Sequence, residues 1–139
     1  MINYFESEFN NIAKRSSYMK NIKTVDSACL FRLSDIITAK ICFITTKYGD
    51  RYDTLEITIM NRTSGTIDKQ KIRIDTMIGK ISIDGCSRIP YISEYDNKLS
   101  WYGFTPTNEH YTRIAIAIDN YLSVFTDPPK SSNKKRTAV

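Results

Sequence analysis

Between Ala28 and Ile74 the apolar residues recur at every second position, and that period is usable only by extended strands with one buried face. Cys29, Phe31 and Leu33 alternate in a first run, Ile37, Ala39, Ile41 and Phe43 in a second, and Leu55, Ile57 and Ile59 in a third. Their β-branched and aromatic side chains favour strand over helix. The Tyr-Gly-Asp-Arg stretch at 48–51 marks a hairpin between the second and third runs. Residues 61–65 mark the next turn, leading into a strand over 69–75. The pattern predicts an antiparallel meander.

At both ends the period shifts to that of a helix. Ile2, Phe5, Phe9 and Ile12 recur at spacings of three and four, with Lys14 and Arg15 late, as a helix dipole favours. Residues 16–25 read as a polar linker. Tyr111, Ile114, Ala115, Ile118, Tyr121, Leu122 and Phe125 form a second apolar stripe, with Thr105 placed to cap the helix and Pro106 at its first position. Between the meander and this helix, Ile81 and Ile83 fit a short strand. Residues 91–95 and 99–104, joined at Asp96-Asn97-Lys98, fit a second hairpin. The expected architecture is α+β: an antiparallel β-sheet of about five to seven strands, meander plus hairpin, with an N-terminal helix and a C-terminal helix packed on one face. Residues 1–125 make a single domain and residues 126–139 a basic flexible tail.

A chain of 139 residues buries about two thirds of its unfolded surface, and 41% hydrophobic content excludes whole-chain disorder. No apolar run approaches the roughly 18 residues of a membrane span. Residues 1–9 carry Glu6 and Glu8 and no basic segment followed by an apolar one, so an intracellular location is expected. Cys29, Cys42 and Cys86 are odd in number and scattered, which fits reduced thiols better than a disulfide framework. Without a secretory route the Asn61-Arg62-Thr63 sequon is expected to stay unmodified. The abundance of Ile, Asn, Lys and Tyr is what AT-rich codons produce, and it fits a low-GC bacterium, its phage or its mobile elements.

The formal charge of +5 is carried by the ends: residues 24–125 hold twelve basic and twelve acidic side chains. A domain built to neutralise many phosphates normally fixes its cations on the folded face, so the neutral middle argues for a protein partner or a homo-oligomer ahead of nucleic acid. No cofactor, metal or small-molecule motif is present. His110 is the only histidine and follows Glu109, but the sequence sets no nucleophile or orienting carboxylate within hydrogen-bond reach of it, so it is expected on the surface. Asp50, Asp53, Glu56, Asp68 and Asp84 lack the spacing of a metal-dependent nuclease and read as solubilising groups. The chain is expected not to be an enzyme.

Two interaction surfaces follow. The segment with Tyr91, Tyr95, Trp101, Tyr102 and Phe104 is dense in aromatics, and Tyr102 and Phe104 point opposite to Trp101 along a strand. Ile116 falls on the polar side of the last helix. Tyr91, Tyr95, Tyr102, Phe104 and Ile116 are therefore the expected partner-binding residues, in a protein-interaction module that is a subunit of an assembly or an inhibitor docking onto one. The alternative is a nucleic-acid-binding accessory protein for single-stranded DNA or RNA. Its contacts would be Lys69, Lys71 and Arg73 on one strand face, Tyr48, Arg51 and Tyr52 in the hairpin, and Lys134, Lys135 and Arg136 in the tail.

Overall fold

The alternating runs become neighbouring strands of one antiparallel sheet. The computed structural model describes residues 4–46, 51–79, 81–83, 86–88, 91–93, 99–100 and 106–126. The chain runs α1 (Tyr4–Ala13), β1 (Lys23–Val25), β2 (Ala28–Arg32), β3 (Ile37–Ile44), β4 (Arg51–Tyr52), β5 (Thr54–Asn61), β6 (Gly65–Arg73), α2 (Ile74–Ile78), β7 (Ile81–Ile83), β8 (Cys86–Arg88), β9 (Tyr91–Ser93), β10 (Leu99–Ser100) and α3 (Asn108–Leu122), closing on a 3₁₀ turn over Ser123–Phe125. The main sheet has the order β1-β2-β3-β5-β6, so its strands are neighbours in space in the order in which they follow in sequence.

Register explains why one face is apolar. Phe31 pairs with Ala39, Ala39 with Ile59, Ile41 with Ile57 and Phe43 with Leu55, so the alternating residues of three strands fall into rows on one side. Those rows are buried and are covered by Phe5, Phe9 and Ile12 of α1 and by Tyr111, Ile114, Ala115, Ile118 and Leu122 of α3. Each of the Phe, Ile and Leu side chains contributes roughly 1.5–3 kcal/mol on burial. Phe43 takes the rings of Phe5 and Phe9 at centroid distances of 5.5 and 4.9 Å, which fixes α1 over the sheet. Both long helices lie on this face.

Several boundaries differ from the sequence reading. Residues 16–25 are not a linker: Ser16 is buried, its hydroxyl accepts from the Tyr18 and Met19 amides, and β1 then pairs with β2 through a tight turn in which Asp26 has φ of 55°. Strand β6 begins at Gly65, not at Lys69, and ends at Arg73, because Ile74 and Asp75 start the short helix α2. Its first residues were illegible as strand because β6 is the sheet's edge, so its inward positions carry Asp68 and Gln70 opposite Ile59 and Ile57. Ile67 is the extra residue of a bulge between the pairs Ile59/Asp68 and Met60/Thr66. The turn before β6 is an Asx turn, in which the Asn61 side chain accepts from the Thr63 amide at 2.9 Å and from the Ser64 amide at 3.3 Å; Gly65, at φ of 86°, completes it.

Beyond the main sheet, β9 pairs with β10 as the expected second hairpin and with β4, giving a sheet of order β10-β9-β4. Strands β7 and β8 pair with each other. The start of α3 also moves. Thr107, not Thr105, is the N-cap, and Pro106 precedes it instead of opening the helix; the Thr107 hydroxyl and the His110 ring close a reciprocal capping box. No described helix is long and apolar enough to cross a membrane.

Candidate interaction surface

Strand β6 runs directly into α2, and α2 packs on α3. Where the three elements meet, an open groove of about 280 Å³ is lined by apolar Ile72, Met77, Ile116 and Ala117 together with Arg113 and Asn120. Ile116 is 53% exposed, whereas Ile118 two residues on is fully buried. Arg113 is held at the groove by two bonds, donating to the Ile78 carbonyl at 2.7 Å and to the Glu109 carboxylate at 2.8 Å. Beside the groove lies β6, exposed from Gly65 to Lys71 and without a further strand paired to it among the described residues. The Tyr121 hydroxyl donates to the Asp68 carboxylate, which ties α3 to this edge strand. Burial, reinforced by that carboxylate, pushes the Tyr121 phenol above its usual pKa.

The opposite face of the sheet carries the other register. Arg73, Lys71 and Lys69 stand opposite Thr54, Glu56 and Thr58, on the side away from the helices. Lys69 and Lys71 are exposed, while the Arg73 guanidinium is engaged by both oxygens of Asp75, at 3.0 and 2.8 Å.

The buried titratable groups serve the scaffold. His110 is 3% exposed and not on the surface as expected, because its ring forms the capping box: Nδ1 accepts from the Thr107 amide at 2.9 Å. Burial lowers its pKa below 6.5, and of its charged neighbours Glu109 opposes that shift while Arg113 adds to it. The Cys29 thiol, buried in the core, is pushed up to about 12 by desolvation. Asp53 is buried at the corner between β4 and β5, where it accepts from the Thr46 amide and from the hydroxyls of Thr46 and Thr54 at 2.9–3.0 Å. Glu8 lies on the buried stripe of α1 and accepts from the Tyr111 hydroxyl, with Arg15 stacked 5.6 Å from the Tyr111 ring centroid. Among the described residues no three or more His, Cys, Asp or Glu side chains gather into a metal-binding group. The larger depression, about 1000 Å³ between α1 and residues 19–22, is lined by Glu6, Ser7, Lys14, Lys20 and amide side chains, with both Glu6 and Ser7 exposed.

Tyr52 and the lysine stripe, which the sequence had grouped, fall on different sides of the sheet. Tyr52 packs edge-on against Phe5 at 5.2 Å, on the helical side, so it does not share a surface with Lys69 and Lys71, and the expected mixed aromatic and basic platform is not assembled from them. Arg51 pairs through its backbone with Ser93, and Tyr91 with Ser100. Tyr48, Tyr95, Trp101, Tyr102, Phe104, Lys134, Lys135, Arg136, Asp50 and Asp84 lie outside the described residues. Of the expected partner-binding set, Ile116 is the one whose side chain is described. Its groove partners Ile72 and Met77 were missed because they lie on the edge strand and on a five-residue helix without periodicity.

Comparison of the chain with protein-family models, with curated proteins and with solved structures returned no match.

Proposed function

We propose that the protein is a non-enzymatic interaction protein, a subunit of a larger assembly or an inhibitor docking onto one, which receives an extended segment of a partner protein along β6. The observation that carries this reading is the adjacency of an apolar groove, with Ile116 exposed along it, to a nine-residue edge strand whose outer side has no further strand among the described residues. An incoming strand gains affinity from main-chain hydrogen bonds to the edge and specificity from alternate side chains entering a neighbouring pocket. Asp68 is held by Tyr121 and Arg113 by α2, so the rim is ordered before a partner arrives, which lowers the ordering cost of binding.

The test begins with a photo-reactive residue in place of Asn120 in the full chain, to capture the partner in cells. The captured segment is then made as a synthetic peptide. The expected result is slowed amide exchange in β6 when that peptide binds, and an affinity about 30-fold lower for Ile116→Asp, the loss of an interface anchor worth about 2 kcal/mol. Unchanged exchange in β6, or equal affinity for Ile116→Asp, overturns the proposal.

A further inference from the structure

We propose that the face of the main sheet turned away from α1 and α3 is a second binding surface, for the phosphate backbone of double-stranded nucleic acid. It lies on the opposite side of the sheet from the groove and does not depend on the reading above.

The observation is a row that crosses every strand. Lys23 pairs with Leu30, Leu30 with Lys40, Lys40 with Thr58 and Thr58 with Lys69, so three lysines on β1, β3 and β6 stand in one line with a neutral residue between each. Adjacent strands lie about 4.8 Å apart, so the lysines recur at about 10 Å and the row spans about 19 Å. The next row ends in Lys71 beside Glu56, which is the one acid that the strands of this sheet direct to the face. Lys23, Lys40, Lys69 and Lys71 are all exposed, and among the described residues none forms an ion pair; the two arginines of the face, Arg32 and Arg73, are paired with Asp35 and Asp75. The sequence showed only the Lys69 and Lys71 end of this surface, because a whole-domain balance of charge averages over two faces. On this face four lysines meet one strand acid, Glu56, whereas Asp68 of the same edge strand is turned to the helical side.

Charge complementarity selects the occupant. A duplex presents a negative charge about every 1.7 Å along its axis, so 19 Å of it matches the row with several phosphates. Single strands are held largely by bases stacking on aromatic rings. No side chain that the strands direct to this face is aromatic, and Tyr52 and Phe43 point the other way. Contacts of this kind position a protein without reading sequence.

The experiment measures binding of the full chain to a labelled 30-base-pair duplex across a salt series by fluorescence anisotropy. With four lysines engaged, affinity should fall on the order of 100-fold between 50 and 200 mM salt, and the combined Lys40→Gln, Lys69→Gln and Lys71→Gln variant should bind weakly, with a log–log slope shallower by about 2.7. Lys40→Gln alone should lower the slope by about 0.9, which provides a check should the triple variant lose its fold. A separate Lys134→Ala, Lys135→Ala and Arg136→Ala variant reports the tail. The proposal is overturned if the sheet variants bind as the native chain does while the tail variant does not. Tighter binding to a 30-nucleotide single strand, or to phosphatidylserine vesicles, than to the duplex overturns it equally.

Discussion

Ser16 and Asp119, 103 positions apart in the chain, share a 2.6 Å hydrogen bond that ties the turn after α1 to the C-terminal part of α3. The second carboxylate oxygen accepts from the Ser17 amide at 2.7 Å, so one aspartate holds two groups that would otherwise drift from the helix. A carboxylate near a helix C-terminus meets an adverse dipole, and these two donors offset it. Asp119→Ala should destabilise the protein by about 2 kcal/mol, the range for bonds to a charged group. Thermal melts should show a fall of roughly 5–10 °C. In a double-mutant cycle, Ser16→Ala should cost less in the Asp119→Ala background than alone, and additive losses would show that the two are not coupled.

His110 should make stability depend on pH just below neutrality. Its folded-state pKa is lowered, since burial disfavours the charged ring and Nδ1 is committed as an acceptor. Between that lowered value and about 6.5 the unfolded chain binds more protons than the folded one, so stability is complete above about 6.5 and declines as pH falls below it. Urea midpoints at pH 7.5 and 5.5 should differ accordingly. Gln at the third helical position preserves a capping box, so His110→Gln should keep the fold and flatten this interval. An undiminished pH dependence in that variant would move the effect to another group.

Ile116 and Ile118 should respond to the same substitution in opposite ways. Ile118→Asp places an unpaired charge in the core and should leave no cooperative unfolding transition. Ile116→Asp changes a half-exposed side chain and should shift stability by less than about 1 kcal/mol. If circular dichroism melts show both variants unfolded, the outer side of α3 is packed within the chain and the groove is not a docking surface.

The Cys29 thiol should be inert in the native protein. Buried and with its pKa near 12, it holds almost no thiolate at pH 8, and thiolate is the reactive form. Alkylation followed by peptide mass analysis should leave Cys29 unmodified until denaturant is added. Rapid native labelling would mean that the sheet opens at β2.

The strands with a two-residue period were legible because burial on one face leaves a direct imprint, and Ile41, Phe43, Ile57 and Ile59 all fall where alternation puts them. Polar residues doing structural work left no such imprint. Glu8 interrupts the apolar stripe of α1, Asp53 reads as a loop acid, and Ser16 as a linker residue, yet all three are buried on partners supplied by other segments. The cap of α3 was misplaced because threonines stand at both 105 and 107, and only the His110 ring distinguishes them. Ile116 was legible as an apolar residue on a wet helix side. The lysine row was not, because Lys23, Lys40 and Lys69 become neighbours only through a register that spans five strands.

The order of the main sheet bears on how the chain is made. Each strand finds its neighbour across a short connection, so pairing can proceed as the chain emerges, and low sequence separation favours speed. The cover of that sheet does not keep pace. Helix α1 is synthesised first, but α3 supplies Tyr111, Ile114, Ala115, Ile118 and Leu122 only after every strand is complete. Until then the apolar face of the sheet lacks the cover that α3 supplies, and apolar surface exposed in that way promotes aggregation, so the chain's exposure to that hazard is set by the delay between its strands and this helix.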